Sequence, residues 1–71
     1  MEITNLIQKK ISIKTEDYFR IVSFLKELNI TLVSSFTTSN RHYLTLKAEE
    51  SIINKLREEF EKETGHPLII I

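Results

Sequence analysis

Apolar and polar residues alternate along Lys10-Ile11-Ser12-Ile13-Lys14, near the start of the chain. A period of two places successive side chains on opposite faces of a β-strand. The pattern therefore predicts a first strand over these residues, with Ile11 and Ile13 facing the core. Residues 1–9 are open to two interpretations, because they fit either one helical turn or an early extension of that strand.

The next segment changes to the period of a helix. Its apolar residues fall in one sector at 100° per residue: Tyr18, Ile21, Val22, Leu25 and Leu28, with Phe24 at the edge. This stripe predicts a helix over about 16–29, with Thr15 as its N-cap. Phe19 lies about 140° from the centre of the stripe, so we expect an exposed aromatic side chain there.

Two segments rich in β-branched and aromatic residues, 30–38 and 42–48, predict a β-hairpin. A two-residue loop would pair Phe36 with Tyr43 and mix apolar and polar residues on both faces. A three-residue loop pairs Phe36 with Leu44 and separates the two kinds of residue, so we predict that register. The predicted core face is Ile30, Leu32, Phe36, Leu44, Leu46 and Ala48, and the predicted open face is Thr31, Val33, Ser35, Thr37, Tyr43, Thr45 and Lys47.

A narrower apolar stripe predicts a second helix over about 49–64. Gly65 follows it and is suited to end the helix in the left-handed conformation. The chain closes with four apolar residues, 68–71, which predict a last strand. A sheet with one covered face buries only alternate residues of such a strand, so Ile69 and Ile71 are expected on the open face.

The predicted elements follow the order strand, helix, strand, strand, helix, strand. Right-handed crossovers in this βαββαβ unit place both helices on one face of a four-stranded antiparallel sheet. We therefore predict a single domain over residues 1–71 with an α+β, ferredoxin-like fold. Residues 1–9 form a possible N-terminal extension of that domain.

Composition narrows the function classes. The 71 residues include no cysteine, which excludes disulfides, thiolate metal sites and cysteine nucleophiles. Two isolated histidines, His42 and His66, and exposed acids build no catalytic constellation, so we expect no enzymatic activity, no cofactor and no metal. The N-terminus has neither a basic segment nor a long apolar run, so we expect a cytoplasmic protein without a signal peptide or membrane span.

Charge is balanced overall, at ten basic and ten acidic residues, but it is uneven along the chain. Residues 8–47 carry seven basic against three acidic residues. The predicted open face combines cations with an aromatic ring, which suits phosphate contact and base stacking. Nucleic-acid binding is therefore one predicted function, with Lys10, Lys14, Arg41 and Lys47 as possible contacts beside Tyr43.

A protein interface on the same face is the function that the sequence favours. A core of this size is marginally stable, and an exposed strand edge invites pairing. We expect a small interaction or regulatory module without membrane contact, acting as a homodimer or with a protein partner through sheet contacts. The candidate interface residues are Phe19, Val33, Tyr43, Ile69 and Ile71.

One resemblance to a known family supports this interpretation. Residues 21–35, which begin Ile21-Val-Ser-Phe-Leu, and the segment Tyr43-Leu-Thr-Leu-Lys47 resemble the first helix and hairpin of ACT-type regulatory domains. The resemblance covers about residues 10–71 and implies a ferredoxin-like fold, a regulatory role and dimers paired through sheet edges or helices. ACT domains commonly bind amino acids near a glycine between the first strand and helix; that loop is Lys14-Thr15-Glu16 here, and no site residue is carried over.

Overall fold

A computed structural model describes residues 5–71, which form one four-stranded antiparallel sheet and two helices. The strands are β1 (Leu6–Lys14), β2 (Thr31–Thr37), β3 (Arg41–Glu49) and β4 (Ile69–Ile70). The helices are α1 (Tyr18–Glu27), entered through a 3₁₀ turn over Thr15–Asp17, and α2 (Glu50–Thr64). The strand order β2-β3-β1-β4 confirms the predicted ferredoxin-like α+β fold.

The hydrophobic core lies between the sheet and the helices. The central strands β1 and β3 supply alternate residues to it, as the period of two predicted. Leu44 and Leu46 are buried, in agreement with the sequence analysis. The other fully buried large side chains are Ile11, Ile13, Ile21 and Leu56.

Strand β1 starts earlier than the alternating segment around Ile11. Leu6 pairs with Glu49 and Ile7 with Ala48, so residues 6–9 extend the strand rather than form a helical turn. The sequence left residues 1–9 open to two interpretations, and residues 1–4 of that segment lie outside the described residues. The long ladder between β1 and β3 forms the centre of the sheet.

The predicted three-residue hairpin loop is wrong. Phe36 pairs with Tyr43 instead of Leu44. The backbone N–H of Thr38 donates to the Arg41 carbonyl at 2.8 Å, which closes a two-residue loop. The sequence pattern argued against this loop because, along a regular strand, it mixes apolar and polar residues on both faces.

A β-bulge in β2 removes that conflict. Val33 has no partner on β3, although Leu32 and Ser34 on either side of it do. A bulge shifts the register by one residue and so reverses the alternation of faces across it. Leu32 stays on the helix side but is 44% exposed, and Phe36 lies on the open face at 66% exposure, so their predicted burial is wrong. The shift also moves two predicted open-face residues, Ser35 and Thr37, to the helix side.

Helix α2 ends where the sequence predicted, whereas α1 ends at Glu27, two residues before the predicted end near residue 29. Gly65 has φ 79° and donates its N–H to the Glu61 carbonyl at 2.8 Å, which terminates α2. The predicted N-cap residue, Thr15, makes no capping side-chain hydrogen bond, because the chain enters α1 through the 3₁₀ turn. Neither helix, nor any other within residues 5–71, combines the length and hydropathy needed to cross a membrane.

Candidate functional site

The helices cover one face of the sheet, and the opposite face is the open face. Ser12 lies opposite Tyr43 on β3 and opposite Ile69 on β4, while Phe36 on β2 also lies opposite Tyr43. Paired residues in an antiparallel ladder point to the same side of the sheet. One row of side chains, the central row, therefore crosses all four strands in the order Ile69, Ser12, Tyr43, Phe36.

Two aromatic rings lie side by side in the central row. The ring centroids of Phe36 and Tyr43 are 6.2 Å apart, with 36° between the ring planes. This separation is typical of interacting aromatic side chains. Tyr43 is half-buried and Phe36 is mostly exposed, so the pair offers aromatic surface on the open face.

Arg41 is held in place beside this pair. Its Nε donates a hydrogen bond of 2.7 Å to the Oγ of Ser12, a buried residue of the central row. A guanidinium has five N–H donors, and within residues 5–71 the Arg41 guanidinium has no second hydrogen-bonded acceptor. The remaining donors can therefore bind an anion without first being ordered.

Three lysines complete a positively charged surface. Lys14 pairs with Arg41 on one side of the central row, whereas Lys10 pairs with Thr45 and Lys47 with Thr31 on the other side. All three lysines are exposed. Neighbouring rows are about 7 Å apart, because each is two residues further along the strands. Among the open-face positions that the structure describes, the acidic residue is Glu49.

A cleft of about 470 Å³ lies next to the aromatic pair. Hydroxyl groups of Ser34 and Thr45 line it together with the Lys10 side chain and Ile71. The backbone N–H of Ile71 donates to the Lys10 carbonyl at 2.8 Å and extends the pairing of β4. The cleft thus combines hydrogen-bonding groups, one cation and an apolar side chain.

The structure brings together most of the residues that the sequence singled out. The open face or its β4 edge holds Lys10, Lys14, Arg41, Tyr43, Lys47, Ile69 and Ile71. Phe19 does not join them, because it lies on α1, where it is 80% exposed as expected. Val33 is the extra residue of the bulge and has no place in the rows.

The sequence pattern assigned Phe36 to the wrong face and did not identify Ser12 as the anchor of Arg41. The sequence did contain an indication of the position of Phe36. Of the two loop lengths considered, only the rejected two-residue loop pairs Phe36 with Tyr43. No local pattern marks Ser12 as the acceptor for Arg41, because the two residues are 29 positions apart in sequence. The aromatic pair and the fixed guanidinium therefore emerge only from the tertiary structure.

The histidines have packing partners away from the open face. His66 Nε2 lies 3.1 Å from the Oδ2 of Asp17, a buried residue at the start of α1. The His42 ring packs on Tyr18 with centroids 4.3 Å apart, and its Nδ1 lies 3.1 Å from the Thr37 hydroxyl. Across residues 5–71, no three His, Cys, Asp or Glu side chains come together in a metal-binding arrangement.

A scan against models of protein families finds no match for the chain, and a search of curated proteins finds none either. The fold alone assigns no function, because ferredoxin-like sheets host many unrelated activities. The function must therefore be inferred from the chemistry of the open face.

Proposed function

We propose that this protein binds single-stranded nucleic acid on its open face. The observation that carries the proposal is the Phe36–Tyr43 pair, which lies among four cations on the face of the sheet that no element of residues 5–71 covers. Aromatic rings stack on bases of any sequence, while lysine and arginine neutralise the phosphates. Arg41, fixed by Ser12, is the phosphate contact that needs the least ordering.

The charges on the rest of the molecule also favour binding of a nucleic acid on the open face. The acids of the second half of the chain are concentrated on α2, which packs on the opposite side of the sheet. A polyanion would therefore approach the open face and be repelled from α2. A single strand fits better than a duplex, because base faces are available for stacking only when they are unstacked.

A protein-interaction or regulatory module is the second candidate, as the sequence favoured. Ile69 and Ile71 are exposed at the β4 edge of the open face, and burying them would be favourable. Packing two copies of this face together would, however, bring like charges into opposition, which is costly. A regulatory role like that of the ACT domains belongs to this second candidate.

Binding without catalysis is part of the proposal. The His66 ring is engaged with Asp17, and His42 points to the helix side of the sheet, so neither faces the cleft beside the aromatic pair. We also propose an intracellular site of action, where single-stranded nucleic acid is the available ligand.

Fluorescence anisotropy with labelled single-stranded oligonucleotides tests the proposal. Stacking contributes about 1–3 kcal/mol per base, so Phe36→Ala or Tyr43→Ala should weaken binding by about 5- to 150-fold. Phe19→Ala is the matched control, because Phe19 is equally an exposed phenylalanine but lies on α1. Its affinity should equal that of the wild type.

Salt dependence provides a second measurement. Four phosphate contacts give a slope of about −3 in a plot of log K against log salt, or about 50-fold weaker binding at 200 mM than at 50 mM. Lys10→Ala should reduce the slope by about one contact. Equal losses for Phe36→Ala and Phe19→Ala, or a slope near zero, would refute nucleic-acid binding on this face.

The double variant Ile69→Lys with Ile71→Lys separates the two candidates. It adds cations at the β4 edge of the open face, so it should strengthen binding to an oligonucleotide. If the open face instead packs against another protein surface through these isoleucines, the variant should abolish that association and leave oligonucleotide binding absent.

A further inference from the structure

The outer edge of β2 is chemically unlike the rest of the sheet. Within the described residues β2 pairs only with β3, and all seven of its residues are exposed. No charged residue or proline occurs between Ile30 and Arg41. Proteins usually protect an edge strand from pairing with lysines, prolines or a covering element. Within residues 5–71 the bulge at Val33 is the one such device on β2, and it affects only one end of the strand.

The regular part of this edge is short and has a definite centre. It runs over residues 34–38, because the bulge interrupts the strand on one side and the hairpin loop begins on the other. Thr38 directs its N–H to β3, so the alternation of an antiparallel ladder turns the backbone groups of Ser35 and Thr37 outward. These two residues flank Phe36, the midpoint of the segment.

We propose that a second copy of this chain pairs with β2, antiparallel and edge to edge, about a two-fold axis at Phe36. In this register Ser35 of each copy pairs with Thr37 of the other, which forms about four backbone hydrogen bonds. Phe36 lies opposite Phe36 of the second copy, on the open face. The two sheets become one sheet of eight strands, with four aromatic rings in a row across its centre.

Electrostatics favour a second copy at this edge. An uncharged strand is self-complementary under a two-fold axis, as an isologous interface requires. The Arg41 residues of the two copies are separated by three strand spacings and, because each pairs with Thr38, by four residues along the strands, so they lie about 20 Å apart. This distance exceeds the screening length of about 8 Å at physiological salt. Edge pairing thus avoids the repulsion that face-to-face packing would create. It uses the strand edge and does not depend on nucleic-acid binding.

Sedimentation equilibrium of the wild type and of Ser35→Pro tests the pairing. The wild type should show twice the 8.4 kDa mass of one chain. Proline at position 35 removes an N–H that points away from β3, so it should block edge pairing while the fold is retained, as far-UV circular dichroism would verify. Ser35→Ala is the matched control and should remain dimeric. A wild type that is monomeric at millimolar concentration would overturn the proposal.

Cysteine cross-linking decides the register and does not require a proline variant that folds. The chain has no cysteine of its own. Phe36→Cys should form a disulfide between copies, because the two residues face each other across the axis within the distance a disulfide spans. Ser34→Cys is the control, since its two copies would be offset by about 13 Å along the strands. Equally fast cross-linking of the two variants would exclude an axis at Phe36.

Discussion

Truncating Leu46 measures how far the core depends on the register of the hairpin. Leu46 is fully buried, and Leu32 lies directly opposite it on the same side of the sheet at 44% exposure. Leucine-to-alanine changes in a packed core cost about 2–5 kcal/mol, because both transfer energy and packing around a cavity are lost. Leu32 on the edge strand leaves no closed cavity, so Leu32→Ala should cost about 1 kcal/mol or less.

The magnitude is large compared with the stability of the whole chain. A domain of this size has a net stability of about 3–5 kcal/mol. Leu46→Ala should therefore remove most of the net stability of the chain, whereas Leu32→Ala should leave most of it intact. Urea unfolding followed by far-UV circular dichroism would measure both variants, with sulfate added to bring Leu46→Ala into the measurable range. A loss below about 1 kcal/mol for Leu46→Ala, or equal losses for both variants, would refute this account of the core.

Three further substitutions test the partner of Asp17, the end of α2 and the anchor of Arg41. His66→Ala should lower the free energy of unfolding by about 1 kcal/mol, because Asp17 loses its hydrogen-bond partner and water enters where the half-exposed imidazole lay; an unchanged urea midpoint would contradict this. Gly65→Ala should cost about 1–2 kcal/mol from its left-handed φ alone, since a Cβ there meets no atom within 4 Å, and unchanged thermal unfolding would argue against it. Ser12→Ala should weaken oligonucleotide binding by about 2- to 10-fold by releasing Arg41; full affinity in the anisotropy assay would show that the guanidinium needs no anchor.

The order of the helices and strands was predictable because each of them shows a clear periodicity of apolar residues within its own segment. Two helical stripes, the alternating residues of β1 and the glycine after α2 required no knowledge of tertiary contacts. The hairpin register was not predictable in this way. Its two candidate loops differ by one residue, and a pattern count that assumes regular strands favours the wrong one. Val33 carries no glycine or proline beside it to signal the bulge.

The residues of the candidate site were predictable only where the strand that carries them is regular. Lys10, Lys14 and Lys47 were assigned to the open face because β1 and β3 are regular where these residues lie. Phe36 was misassigned because its face depends on the register of β2. The contact between His66 and Asp17 spans 49 positions, so no local pattern encodes it.

The extra residue in β2 determines how this hairpin responds to changes in its length. Loss of one residue from a regular strand moves every side chain beyond it to the opposite face. Deleting any one of residues 33–35 would instead convert the bulge into a regular strand, with Leu32 still opposite Leu46 and Phe36 still opposite Tyr43. A second deletion would have no bulge to absorb it. The hairpin should therefore keep its register after the loss of one of residues 33–35, whereas the loss of one residue from β3 should disrupt its pairing.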